Sequence, residues 1–178
     1  MAPFGRNPRP EPDRPSGQAP NGLDWESVWD YPRPPETRPE IREVTIAVDG
    51  VEIARCDRAV KVCETAGGPV VYLPPEAIAE GALSEPRAGG SFCEWKGSAS
   101  YFDVVAGDRT IPNAAWAYPD PTPAFEPIAG WISFYPALVE CRLDGELVKP
   151  QPGGFYGGWI TDDLVGPFKG DPAHPELI

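Results

Sequence analysis

The chain predicts a mainly β fold, a small twisted barrel or tent-like β structure with one or two short helical turns, and three observations carry that reading. Its 25 prolines and 19 glycines among 178 residues leave few stretches where a helix runs without a missing donor or a flexible break. From Arg42 onward apolar residues recur at alternate positions, the period of a strand with one buried face. These stretches are short and closely spaced, so their edges and apolar faces are hidden only if the sheet curls on itself or meets a second sheet.

Residues 1–40 hold ten prolines, and 1–22 is expected to be a disordered Pro-rich N-terminus. Residues 23–41 carry Leu23, Trp25, Val28, Trp29 and Tyr31, too aromatic for water, and read as an arm packed across the domain or across a partner subunit. The β domain is expected over 42–148. It opens with Val44, Ile46 and Val48 facing one way, an Asp49-Gly50 hairpin turn, and the returning Val51 and Ile53. Residues 60–62, 69–73, 92–95, 98–105 and 114–118 read as further strands, bounded by Gly67-Gly68, Pro74-Pro75, Gly89-Gly90 and Gly107-Asp108. Helical turns fit at 75–79 and 124–128. Two more strands follow at 131–135 and 138–143, and Asp144-Gly145 turns the chain into 146–148. Residues 149–178 form a Gly/aromatic C-terminal extension, laid on an apolar surface through Phe155, Tyr156 and Trp159, with the last eight residues fraying.

Fifteen basic against 27 acidic residues give a net charge of −12, which repels phosphate backbones and anionic lipid headgroups. Neither nucleic acid nor membrane is therefore an expected partner. No apolar leader follows Met1, no eighteen apolar residues run together, and Cys56, Cys63, Cys93 and Cys141 contain no C-x-x-C pair. The expected setting is cytoplasmic, with reduced thiols and no structural zinc. The single histidine, His174, disfavours serine-histidine catalysis and histidine-rich metal centres, and no cofactor is expected.

The richest stretch for chemistry is 92–119, where aromatic residues alternate with a few polar ones, as in the wall of a small-molecule pocket. Cys93 is either a thiol activated by nearby Lys96 or a small buried hydrophobe. Lys96 either aims its ammonium at a ligand carboxylate or carbonyl or faces solvent at a strand bend. Glu64 is either a general base at the pocket mouth or the ion-pair partner of Lys96 or Arg58. Tyr101 and Asn113 either orient a ligand carbonyl or satisfy backbone groups at strand ends. Trp95, Trp116, Tyr118 and Trp131 are the candidate walls, with ordinary core as the alternative.

Arg58-Ala59, Glu64-Thr65, Tyr72-Leu73-Pro74, Cys93, Lys96-Gly97-Ser98-Ala99-Ser100-Tyr101, Asn113-Ala114-Ala115-Trp116, Tyr118-Pro119, Ile128-Ala129-Gly130 and Phe134-Tyr135-Pro136 together resemble the bacterial family known as domain of unknown function 427. The likeness runs over about 42–148, and Trp29-Asp30-Tyr31-Pro32 and Gly153-Gly154-Phe155-Tyr156 resemble segments that flank its longer members. The resemblance implies a compact, mainly β domain and adds Arg58 and Tyr72 to the candidate ligand-binding residues. Members are sometimes labelled nucleotidyltransferases, yet Gly97-Ser98 is not followed here by the paired D-x-D carboxylates that would hold two magnesium ions. Glu94-Trp95, Phe102, Cys56 and Cys63 depart from the family pattern.

The leading expectation is a small-molecule-binding β domain, extended in one version to cofactor-free acid/base catalysis through Glu64, Lys96, Tyr101 and Cys93. The expected cavity lies between sheets. Two other readings stand beside it: an interaction module, with homo-oligomerisation one form of it, and cysteine redox chemistry resembling that of distant tent-fold reductases.

Overall fold

The computed structural model describes residues 14–87 and 89–177. Among them the strands are, in order, β1 (Glu26–Ser27), β2 (Glu36–Glu40), β3 (Val44–Val48), β4 (Val51–Cys56), β5 (Ala59–Cys63), β6 (Val70–Tyr72), β7 (Ser91–Cys93), β8 (Gly97–Ala106), β9 (Arg109–Ala117), β10 (Ile132–Phe134), β11 (Glu140–Leu143), β12 (Glu146–Leu147), β13 (Lys149–Pro150), β14 (Trp159–Ile160) and β15 (Leu164–Val165). The chain is mainly β, with short 3-10 turns that include Pro75–Ala77 and Pro123–Ile128. Among the described residues no helix is long and apolar enough to cross a membrane.

Strands β12-β11-β3-β4 form one sheet, while β2-β5-β6 and β10-β9-β8-β7 form two others. Leu73, just past β6, exchanges both backbone hydrogen bonds with Ile132 at 2.8 Å, which continues these two into one ribbon. The sheets pack without closing into a barrel. At the Asp49-Gly50 and Asp144-Gly145 turns all four residues have positive φ, 50° and 78°, then 48° and 82°, the backbone that a tight two-residue hairpin requires.

The period of two divides the ribbon into two faces. Val71, Leu73, Ala115, Ala117, Ile132 and Phe134 join Val44, Ile46, Val48, Ile53, Cys141 and Leu143 in the main core between the sheets. Their neighbours in sequence, Val70, Tyr72, Trp116, Tyr118, Trp131 and Tyr135, gather with Val60, Val62, Tyr101, Phe125 and Ile128 in a second, aromatic cluster on the opposite face. Phe134 is fully buried in the main core. Phe134→Ala is expected to lose about 3–5 kcal/mol of unfolding free energy in urea titrations.

Strand β2 was unexpected in so proline-rich a segment. It pairs with β5 in a register that sets Pro39 against Val60, and it survives because it is an edge strand, where alternate residues face away from the ladder and a proline is tolerated. The arm before it packs on its own chain. Val28, Trp29 and Tyr31 meet Cys63, Leu164 and Phe168, β1 runs parallel to β15, and the Trp29 indole donates to the Pro167 carbonyl at 2.8 Å. Of the segment expected to be disordered, 1–13 lies outside the described residues, whereas Ala19 is buried and Asn21 donates to Glu146 and Asp163 at 2.9 Å. In the extension, Trp159 drops into the main core and its indole donates to the Phe134 carbonyl at 3.1 Å.

Candidate functional site

The aromatic face of the ribbon is where most of the sequence-derived candidates converge. Tyr72 is fully buried and its hydroxyl accepts from the Trp116 indole at 3.3 Å. The Trp116 ring stands 4.4 Å from that of Tyr135. Burial pushes the phenols of Tyr72, Tyr118 and Tyr135 well above their ordinary pKa, with Tyr101 adding to the shift at Tyr135. These hydroxyls therefore stay protonated at neutral pH and serve as hydrogen-bonding groups and not as bases.

Lys96 follows the short strand β7 and lies over this cluster. It is only 9% exposed, and its Nζ sits 5.5 Å from the centroid of the Tyr118 ring and 5.9 Å from that of Phe125. Among the described residues it has no ion pair and donates no hydrogen bond. Glu64, in the turn after β5, lines the same cavity as Lys96, a chamber of about 120 Å³. The ion pair expected of Glu64 with Lys96 or Arg58 is not formed.

Beside this chamber lies a larger cavity of about 580 Å³, lined by Tyr101, Asn113, Tyr135, Arg87 and Leu138 among others. That volume is in the range of small-molecule sites. Gln151 and Tyr156 line both spaces. The Tyr101 hydroxyl is hydrogen-bonded to Ser91 at 2.7 Å. Asn113 has a φ of +51°, and its backbone N–H donates to Asp103 Oδ1 at 3.0 Å. The same carboxylate takes two hydrogen bonds from Arg87, at 2.8 and 2.6 Å, and these donors hold Asp103 below the usual carboxylate range. Arg87 is therefore fixed at the rim with its charge already matched.

Three placements correct the sequence reading. Neither of these two cavities lies between the sheets: both border the aromatic face, while another of about 360 Å³ takes its lining from strands of both sheets, Val48, Ile111 and Leu147 among others. Arg58 is remote from them, exposed at the β4–β5 turn and paired with Glu76, because its own hairpin turns it outward. Tyr72, Trp116 and Tyr118 form the packed layer behind the cavities and line neither of them directly. Trp95 and Cys93 pack half-buried against that layer; the Trp95 carbonyl accepts from the Thr122 hydroxyl at 2.6 Å.

Sequence reasoning missed Gln151, Tyr156 and Lys169, all from the C-terminal extension. Gln151 is 6% exposed; its Oε1 accepts from the Gly68 N–H at 3.0 Å, and its Nε2 donates to the Lys169 carbonyl at 3.1 Å. The Gly-aromatic composition of 153–159 was the only signal. At Gly157 a Cβ would lie 2.5 Å from the Trp116 ring, so the extension's backbone rests directly on the indole. Gly157→Ala is expected to lift the extension, cost about 1–3 kcal/mol and change Trp116 emission; an unaltered melt and spectrum would contradict this contact.

No pair of cysteines is bonded among the four free thiols. Burial pushes the Cys63 thiol up to about 11 and Cys141 well above its ordinary value, so neither supplies thiolate at neutral pH. Both are expected to resist iodoacetamide in the native protein and to label once it is unfolded, as read by peptide mass. Among the described residues no three His, Cys, Asp or Glu side chains come together in a way that could hold a metal ion.

Fold and site together define a mainly β domain whose aromatic outer face is roofed by the chain's own terminal extension. The chain belongs to the family described as domain of unknown function (DUF427), whose model matches residues 36–148. That span begins at β2 and ends before the extension, so the roof lies outside the matched domain. No curated protein matches the chain.

Proposed function

We propose that this protein binds a small molecule in the cavities beneath the C-terminal extension, with Lys96 as the anchoring charge. One observation carries the reading: Lys96, a residue only 9% exposed, stacks its ammonium on two rings, has no carboxylate partner among the described residues and borders a chamber. Confining the lysine to a small chamber removes part of its hydration, and the cation–π contacts return only about 0.5–2 kcal/mol. A ligand acid would supply the missing counter-charge. The larger cavity adds apolar walls and a few placed polar groups, Tyr101, Asn113 and Tyr135, the mixture found in small-molecule sites.

The unpaired carboxylate of Glu64 on the same chamber supports an extension of the reading to proton transfer, with Glu64 as base and protonated phenols as donors. Thermal-shift screening against carboxylate and phosphate metabolites is expected to yield stabilising ligands, at about 2.7 kcal/mol for a hundredfold excess over Kd. Lys96→Met is expected to abolish those shifts while the protein stays folded. Ligands that stabilise wild type and Lys96→Met equally would remove Lys96 from the site, and a screen without any stabilising compound would remove the site itself.

A further inference from the structure

The 120 Å³ chamber is lined by three charged side chains, Glu64, Lys96 and Lys169, and the carboxylate pairs with neither ammonium. Lys96 is buried and unpartnered, and Glu64 is half-buried with no side-chain hydrogen bond or ion pair among the described residues. Two flexible side chains of opposite sign, facing one small space, ordinarily close on each other. Here they do not pair. Glu64 is fixed on the turn that the Gly67 N–H closes onto the Glu64 carbonyl at 3.2 Å. Lys96 is fixed by its stack on Tyr118 and Phe125, and by its carbonyl, which accepts from the Thr122 N–H at 3.2 Å.

Gly157 and Gly158, whose backbone N–H groups have no acceptor among the described residues, also line the chamber, with Lys169, Val62, Val70 and Gln151 among others. Gly158 cannot be replaced by a larger residue without collision, since a Cβ there would lie 2.1 Å from Gln151 Oε1 and 2.9 Å from the Gly68 carbonyl. Main chain thus approaches the chamber closely. The lining offers ammonium and amide donors to an oxyanion and a carboxylate to a cation.

Building on the reading above, we propose that the chamber is a subsite for a zwitterionic head group, the adjacent ammonium and carboxylate of an α-amino acid. Glu64 takes the ammonium, Lys96 takes the carboxylate, and the side chain of the ligand passes Tyr156 toward the larger cavity. A single anion would engage Lys96 or Lys169 and leave Glu64 without a partner, whereas a zwitterion engages both signs of the lining.

The experiment is calorimetric titration of the full chain with L-phenylalanine, 3-phenylpropionate and 2-phenylethylamine. L-Alanine, propionate and ethylamine repeat the comparison with a side chain that needs no room beyond the chamber. In at least one set the amino acid is expected to bind at least tenfold more tightly than either half-charged analogue. Glu64→Gln should reduce the amino acid to the level of its desamino acid while leaving binding of that acid unchanged, with an unaltered melt showing that the variant is folded. Desamino acids binding as tightly as the amino acids, with no effect of Glu64→Gln, would overturn the zwitterion subsite and leave a simple anion site. Neither amino acid binding, while the metabolite screen still yields Lys96-dependent ligands, would overturn the inference alone. Failure of that screen as well would bring down the small-molecule reading with it.

Discussion

Arg42→Ala is expected to destabilise the protein by about 3–5 kcal/mol at neutral pH, because it strands a buried carboxylate. The Glu40 side chain is 1% exposed and takes two hydrogen bonds from the Arg42 guanidinium, each 2.9 Å, with Lys61 3.9 Å away. Burial alone would raise the Glu40 pKa; the Arg42 hydrogen bonds and charge, aided by Lys61, outweigh it and hold the carboxyl below its usual value. A depressed folded-state pKa contributes stability above the unfolded-state value, about 4.3, and that contribution is lost as pH falls through the folded value. In the variant burial is no longer outweighed to the same degree, so the penalty should shrink on acidification below about pH 4. Urea unfolding of wild type and variant at pH 7 and pH 3.5 reads the difference. A penalty under about 1 kcal/mol, as for exposed pairs, or one that grows in acid, would show that the pair is not the buried element described here.

The effect reaches past one pair because of what the pair joins. Arg42 Nη1 also stands 3.9 Å from Asp163, which accepts from Asn21 and from Thr161 at 2.9 and 2.5 Å. Residues before the matched domain, at its first strands and beyond its end meet in this one network. Loosening it should disturb both terminal segments together.

The strands of the domain were legible because they rest on local chemistry. Val44–Val48 alternates cleanly and Asp49-Gly50 supplies the positive-φ turn, but a bulge at Ile46–Ala47 breaks the alternation in β4 and leaves Val51 56% exposed; Asp144-Gly145 turns β11 into β12 in the same way. Strand β2 was not legible, since Pro39 argues against a ladder until its edge position is known. The site divides in the same way. Lys96 and Tyr101 stood out in the sequence by sitting among aromatic residues, and Glu64 was read as a partner for Lys96 or Arg58; Glu64 and Lys96 line one chamber without pairing. Which face of the sheet they occupy was not legible, because alternation separates two faces without saying which one the second sheet covers. Gln151 and Lys169 carried no local sign at all: their place depends on how a loop is laid down by Trp159 and by hydrogen bonds to Gly68 and Ala66.

That dependence makes Trp159→Ala the other large expected effect. Trp159 is 1% exposed and belongs to the main core although it lies eleven residues beyond the matched span. Removing its ring should cost about 3–5 kcal/mol, a large share of the roughly 5–15 kcal/mol that holds an ordinary domain together, and it leaves the Phe134 carbonyl without its indole donor. The neighbouring Phe155 is 84% exposed, so Phe155→Ala should stay within about 0.5 kcal/mol of wild type and serves as the control on the same segment. The strand β14 that carries Trp159 also pairs with β13, and the Gly158 carbonyl receives the Gln151 N–H at 3.1 Å. Loss of the anchor should therefore loosen the wall shared by the two cavities, and any ligand found by screening should bind Trp159→Ala more weakly than it binds Phe155→Ala. A chain cut after residue 148 that melts like the full protein would contradict this, because it would mean that the matched domain fills its core without the tryptophan that the extension inserts.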